Sequence, residues 1–169
     1  MPKKNSPLAR LGKMMAYIEE HDPFPSVMSD TMAQMLRCYS PYMRKLGFVL
    51  KHPKLFAPLL KKALPRLSPT AGALLKSTLV FTMASGSPAV NVIPTEAWVV
   101  GNLRCAPHQT QEECIDILKN ICKKFDVEVE CKIRQRGGYV ADYRDEAFQI
   151  LTKAVKEHYP QVDEVVPYI

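Results

Sequence analysis

The chain has 169 residues, 47% of them hydrophobic and 24% charged, the balance of an ordinary globular protein rather than a disordered, fibrous or repeat one. No run of about 18 apolar residues is present to span a membrane. The first seven residues lack the apolar core and cleavage site of a secretory signal, so a cytoplasmic location is the default expectation. Five cysteines without a CxxC pair argue against both a disulfide framework and a cysteine-based zinc site, and Cys114 and Cys122 read as core thiols. The net charge of +6 is unevenly spread. Between Thr31 and Thr95 stand nine Lys and Arg and no Asp or Glu, which leaves −3 for the rest of the chain and favours an anionic partner for that stretch.

In chain order, the first predicted element is a helix from about Pro7 to Glu20. Ser6 can cap it, and Leu8, Leu11, Met15 and Ile18 recur at helical spacing. Pro23 and Pro25 bound its exit. Short helices follow, with start signals at Ser29 and Asp30, at Ser40 before Pro41, at His52 before Pro53 and at Ser68 before Pro69. The middle of this block, Met43 to Leu67, is both basic and apolar. Two readings fit it: a segment lying on an anionic membrane surface, or a helical cap with solvated lysines and buried leucines.

From Leu75 the period changes. Leu75 to Met83 and Glu96 to Cys105 read as strands. In the second, Trp98, Val100, Asn102 and Arg104 share one face and Val99, Leu103 and Cys105 the other. Thr110 and Glu113 form a capping box for a helix to Phe125 that lines Cys114, Leu118, Ile121 and Phe125 on one side. Val127, Val129, Cys131 and Ile133 then alternate with charged residues in a half-buried strand ended by Gly137-Gly138. An amphipathic helix is predicted over Arg144 to His158, with Phe148, Leu151, Val155 and His158 on one side, and the start of a strand over Val162 to Ile169.

This order predicts an α+β fold: an incomplete ferredoxin-like split β-α-β sandwich whose first strand, central in the usual order, would precede Met1. Its expected divisions are 1–26, a helical insertion over 27–74, the strand-strand-helix-strand core over 75–138, and a closing segment over 139–169. The missing strand would leave backbone groups to be covered.

The sharpest pattern is Ser85-Gly86-Ser87-Pro88-Ala89-Val90-Asn91-Val92-Ile93-Pro94, followed by Asn102-Leu103-Arg104-Cys105-Ala106-Pro107. It resembles the lid and dimerisation domain of the metallopeptidase family that includes aminoacylases, acetylornithine deacetylase, succinyl-diaminopimelate desuccinylase and carboxypeptidase S. Ser6 to Pro25 and the helical block ending in Lys76-Ser77-Thr78 are similar to the carboxypeptidase S and N-acyl-amino-acid hydrolase branch. The resemblance implies that Asn91 and Arg104 bind the free carboxylate of an N-acyl amino acid or small peptide, with Asn102 as possible support for Arg104. It implies a homodimer formed through the lid sheet and helices, and two zinc ions in a catalytic domain outside this chain, toward which 139–169 returns. The fragment alone is then expected to be inactive, without the family's Gly-His motif, which would lie before Met1.

Elementary chemistry agrees with the two ligand positions. A guanidinium offers a planar fork to a carboxylate, and an amide adds a neutral donor. The same residue types have plainer uses, since an asparagine before Val-Ile-Pro often forms a turn and an arginine near a strand end is often solvated. His21, His52, His108 and His158 lack a second ligand at metal spacing and read as solvated or capping histidines. A stand-alone dimerising interaction domain remains open, whereas an RNA-binding module lacks paired exposed aromatics on its strands, so no nucleic acid is expected.

Overall fold

The computed structural model describes residues 4–134 and 140–168. The chain divides into two compact units, Met1–Pro25 with Ser77–Gly137, and Ser26–Lys76 with Gly138–Ile169.

The first unit packs two helices on one face of a hairpin. Helix α1 (Pro7–His21) buries Leu11, Met14 and Ile18, one stripe at helical spacing, and stops where Asp22 turns left-handed. Ser6 occupies its N-cap position, but its side chain makes no capping bond. Helix α6 (Gln111–Cys122) opens with both bonds of the Thr110–Glu113 capping box and continues as a 3-10 turn to Phe125. Its buried stripe is Cys114, Leu118 and Cys122. The Cys122 and Met14 sulfurs stand 3.2 Å apart, and Arg10 pairs with Asp126, so α1 and α6 are joined inside and at the surface. Strands β1 (Thr78–Ser85) and β2 (Trp98–Arg104) are antiparallel and set Leu79, Phe81, Val99 and Leu103 against this core.

Two expectations about strands are corrected here. The sheet has two strands, and 127–133 is not in it. Its alternation holds as far as Lys132, with Val127, Val129 and Cys131 half-buried and Glu128, Glu130 and Lys132 exposed, but fails at Ile133, expected on the buried face and 73% exposed. An amphipathic pattern suffices to orient side chains, but a ladder needs a neighbour about 4.8 Å away. The predicted end of this segment, Gly137-Gly138, lies outside the described residues. Residues 162–168 likewise form no strand, because Val166 packs into the second unit's core and Pro167 is buried without an N–H to offer; Ile169 lies outside the described residues.

The second unit is helical. Helices α2 (Asp30–Tyr39), α3 (Gly47–Lys51), α4 (Ala57–Leu67) and α5 (Pro69–Ala73) surround Met32, Met35, Leu36, Leu50, Leu60 and Leu75. Ser29 and Ser68 cap α2 and α5 by accepting from the Met32 and Ala71 N–H groups. Ser40 and Pro41 open only a 3-10 turn, and after His52-Pro53 the chain turns before α4 begins at Ala57. Leu75, expected to start β1, is instead fully buried here, and its carbonyl accepts from Val27 N–H at 2.8 Å. Helix α7 (Glu146–His158) uses Phe148, Thr152 and Val155 as its half-buried side, leaving Leu151 and His158 exposed, contrary to their expected place on the packing face. The expected burial of the leucines of 43–67 holds for Leu50 and Leu60 but not for Leu46, Leu55, Leu59 and Leu67, which are exposed.

Candidate functional site

The hairpin holds the predicted ligand residues. Thr78 faces Arg104, Val80 faces Asn102, Met83 faces Val100 and Ser85 faces Trp98. Thr82 is an extra residue between Phe81 and Met83, and its hydroxyl donates to the Val100 carbonyl at 3.4 Å. This bulge shifts the alternation of β1, so Val80 before it and Met83 after it both look outward. The outer face of β2 carries Trp98, Val100, Asn102 and Arg104, all exposed, as its period of two predicts. Cys105, placed by the same period on the inner face, is exposed because it lies beyond the strand end.

The end of β2 is fixed by a buried clamp. The Ser77 hydroxyl donates to Gln109 Oε1 at 2.7 Å and accepts from Ala106 N–H at 2.9 Å, while the Cys114 thiol approaches it at 3.5 Å. That satisfies one donor and both acceptor positions of a serine with no exposed surface. In the sequence Ser77 stands out only through the family resemblance; the local signal for the clamp is a small polar residue directly before an apolar strand.

The connection between the strands is locally ordered. Ser87 accepts from Ala89 N–H and donates to the Ala89 carbonyl, and Val92 N–H reaches the same carbonyl at 3.4 Å. Asn91 is therefore the third residue of a turn, exposed at its tip. Gly86 leaves room for Leu8, since a Cβ there would fall 2.8 Å from a Leu8 methyl carbon.

The geometry brings Asn102 and Arg104 side by side on one face of β2. Asn91 lies in the connection that joins β2 at Trp98, and Arg104 ends the strand about 20 Å further along at the usual rise. Among the described residues, the side chains of Asn91, Asn102 and Arg104 make no hydrogen bond or ion pair.

Of the histidines, His21 and His158 place Nδ1 against carbonyls one turn back, at 3.0 and 2.9 Å, as capping residues do. His52 meets the Phe48 ring edge-on. His108 departs from the solvated reading, because its Nε2 is buried with no described partner. Among the described residues no three His, Cys, Asp or Glu side chains gather as a metal ion would require. A cleft of about 370 Å³ lies in the second unit, lined in part by Gln34, Cys38, Gln149, Lys153 and Glu164, and holds none of the predicted ligand residues. Burial, and then the Glu164 carboxylate, push the Cys38 thiol above its ordinary range. No helix of the described residues is long and apolar enough to cross a membrane.

Residues 8–130 match the family model of the peptidase dimerisation domain. The N-fatty-acyl-amino acid synthase/hydrolase of Mus musculus is 27% identical over 175 aligned residues, covering 99% of this chain and 34% of that protein. The enzyme of that name from Homo sapiens is 26% identical, covering 98% of this chain and 34% of its own length. A probable carboxypeptidase S-like protein of Dictyostelium discoideum is 24% identical over 96% of this chain and 31% of its own. The chain thus spans about a third of the length of these relatives. No solved structure matches it significantly.

Proposed function

Because the chain belongs to the peptidase dimerisation domain family, we propose that it is the lid and dimerisation part of a zinc-dependent amide hydrolase. The substrates of the whole protein are N-acyl amino acids or small peptides with a free carboxylate, and Arg104 is the residue that holds it. One observation carries this reading: an exposed guanidinium at the end of β2, beside Asn102, without an acidic partner among the described residues. The relatives, an N-fatty-acyl-amino acid synthase/hydrolase and a probable carboxypeptidase S-like protein, support the same substrate class.

In this reading the two zinc ions are held by a catalytic part of the parent protein outside this chain. The lid's part is to bind and orient. A bidentate contact from Arg104 and a further donor from Asn91, brought to the ligand in the assembled dimer, would each contribute roughly 1.5–3 kcal/mol against a charged group. Dimerisation falls to the outer sheet face, where Val80, Met83 and Trp98 are each about half exposed or more.

The test is Arg104→Ala in the intact enzyme, comparing kcat/KM for a carboxylate substrate and its carboxamide analogue. Roughly tens-fold loss confined to the carboxylate is expected; equal loss on both would remove the assignment. A second reading, a stand-alone dimerising regulatory domain, draws on the same apolar face. It would gain if the chain formed a stable dimer and the full gene encoded no histidine-rich catalytic half.

A further inference from the structure

Helix α4 is apolar on two sides. Leu60 and Leu64 face the core of the second unit, while Leu59 looks outward, with Leu55 in the turn before it and Lys62 and Arg66 along the same stripe. Leu55 is 73% and Leu59 58% exposed, and Phe48, 68% exposed, meets Phe56 beside them edge-to-face. A buried core accounts for one side of this helix and not for the other.

Charge narrows what covers the outer side. Between residues 26 and 76 the sequence holds nine Lys and Arg and a single acid, Asp30, which is paired with Lys54 at 2.5 Å. Lys51, Lys62 and Arg66 are exposed, with no acidic partner among the described residues. A second copy docking by the same face would set cation against cation across a two-fold axis. A nucleic acid would match the charge and leave the leucines in water. An anionic lipid surface accepts both: leucine and phenylalanine enter the acyl boundary while the long cationic side chains reach back to the headgroups.

We propose that the exposed face of α4, with Phe48 and Leu55, docks the protein on anionic phospholipid membranes. It rests on these side chains alone and stands apart from the carboxylate site on β2.

The experiment is flotation of the 169-residue chain with vesicles of phosphatidylcholine, with and without phosphatidylserine. Binding is expected to the anionic vesicles at least tenfold above the neutral ones, falling steeply as salt rises from about 0.1 M to 1 M, where screening shortens from about 10 Å to 3 Å. Replacing Lys62→Gln and Arg66→Gln together should lower the partition coefficient by about 25-fold, near fivefold per cation. Replacing Leu55→Ser and Leu59→Ser should lower it by about tenfold or more at unchanged charge. All four positions are exposed, and an unaltered circular dichroism spectrum and melting temperature confirm that each variant is folded. Equal binding to neutral vesicles, binding to neither, or binding that survives both double substitutions overturns the proposal. So does self-association abolished by the same substitutions in a chain that ignores vesicles.

Discussion

Ser77 donates its hydroxyl hydrogen to Gln109 across 2.7 Å, linking the residue just before β1 to the turn that follows β2. Because the same hydroxyl accepts from Ala106 N–H, two residues beyond Arg104, it sets where the guanidinium's strand ends. Ser77→Ala leaves a buried N–H and an amide oxygen unsatisfied, so a loss of about 1–3 kcal/mol in unfolding free energy is expected. Urea denaturation of the chain measures it; a change under about 0.5 kcal/mol, typical of ordinary surface positions, would show the clamp to be dispensable.

Asn91 and Arg104 should behave as coupled residues in the intact enzyme if they hold one carboxylate. Their single alanine variants and the double variant form a cycle in kcat/KM. A coupling of about 1 kcal/mol, fivefold less loss in the double than the product of the singles, is expected. Strict additivity would reduce Asn91 to the turn residue that its position between Ala89 and Val92 already makes it.

Cys105 supplies a prediction in pH. Although the residue as a whole is exposed, partial desolvation of its sulfur first, and the neighbouring Cys114 thiol second, push its thiol from 9.0 to about 11. A thiol with a raised value in the folded protein resists ionisation, so its stabilising effect is complete below pH 9 and lost as pH rises through about 11. Its alkylation rate by iodoacetamide should keep climbing between pH 9 and 11 in the native chain, whereas the denatured chain levels off near 9. Coincident profiles would contradict the shift.

Met32 has no exposed surface and packs with Leu36, Leu50 and Leu60. Met32→Ala opens a cavity in the second unit, at a cost of about 2–5 kcal/mol. Thermal unfolding followed by circular dichroism is the measure; an unchanged transition would mean that the surrounding helices collapse into the space.

Much of the first unit was legible because it is decided locally. The Thr110–Glu113 box, the stripe of α6 and the faces of β2 depend on residues a few positions apart, and each stands where the pattern put it. Pairing is not local. The alternation told which side chains of 127–131 face the core, misplaced the exposed Ile133, and said nothing about a neighbour to bond with. Helix α4 was ambiguous for another reason: with leucines around its circumference, periodicity cannot choose the side that meets a core. Where Asn91 stands relative to Arg104 depends on the path of the 86–97 connection, which no spacing rule supplies. His108 was misread because one buried ring nitrogen leaves no trace in a sequence.

The surplus residue at Thr82 has a consequence for how the hairpin tolerates change in length. Excising Thr82 would join Phe81 to Met83 as ordinary ladder neighbours, keep Val80, Met83 and Ser85 on their present side, and straighten the strand locally. What would be lost is the local bend and added twist that a bulge gives its strand, three residues before Ser85 and the connection carrying Asn91. The course of β1 beyond Phe81, more than the footing of Arg104, is what this one residue governs.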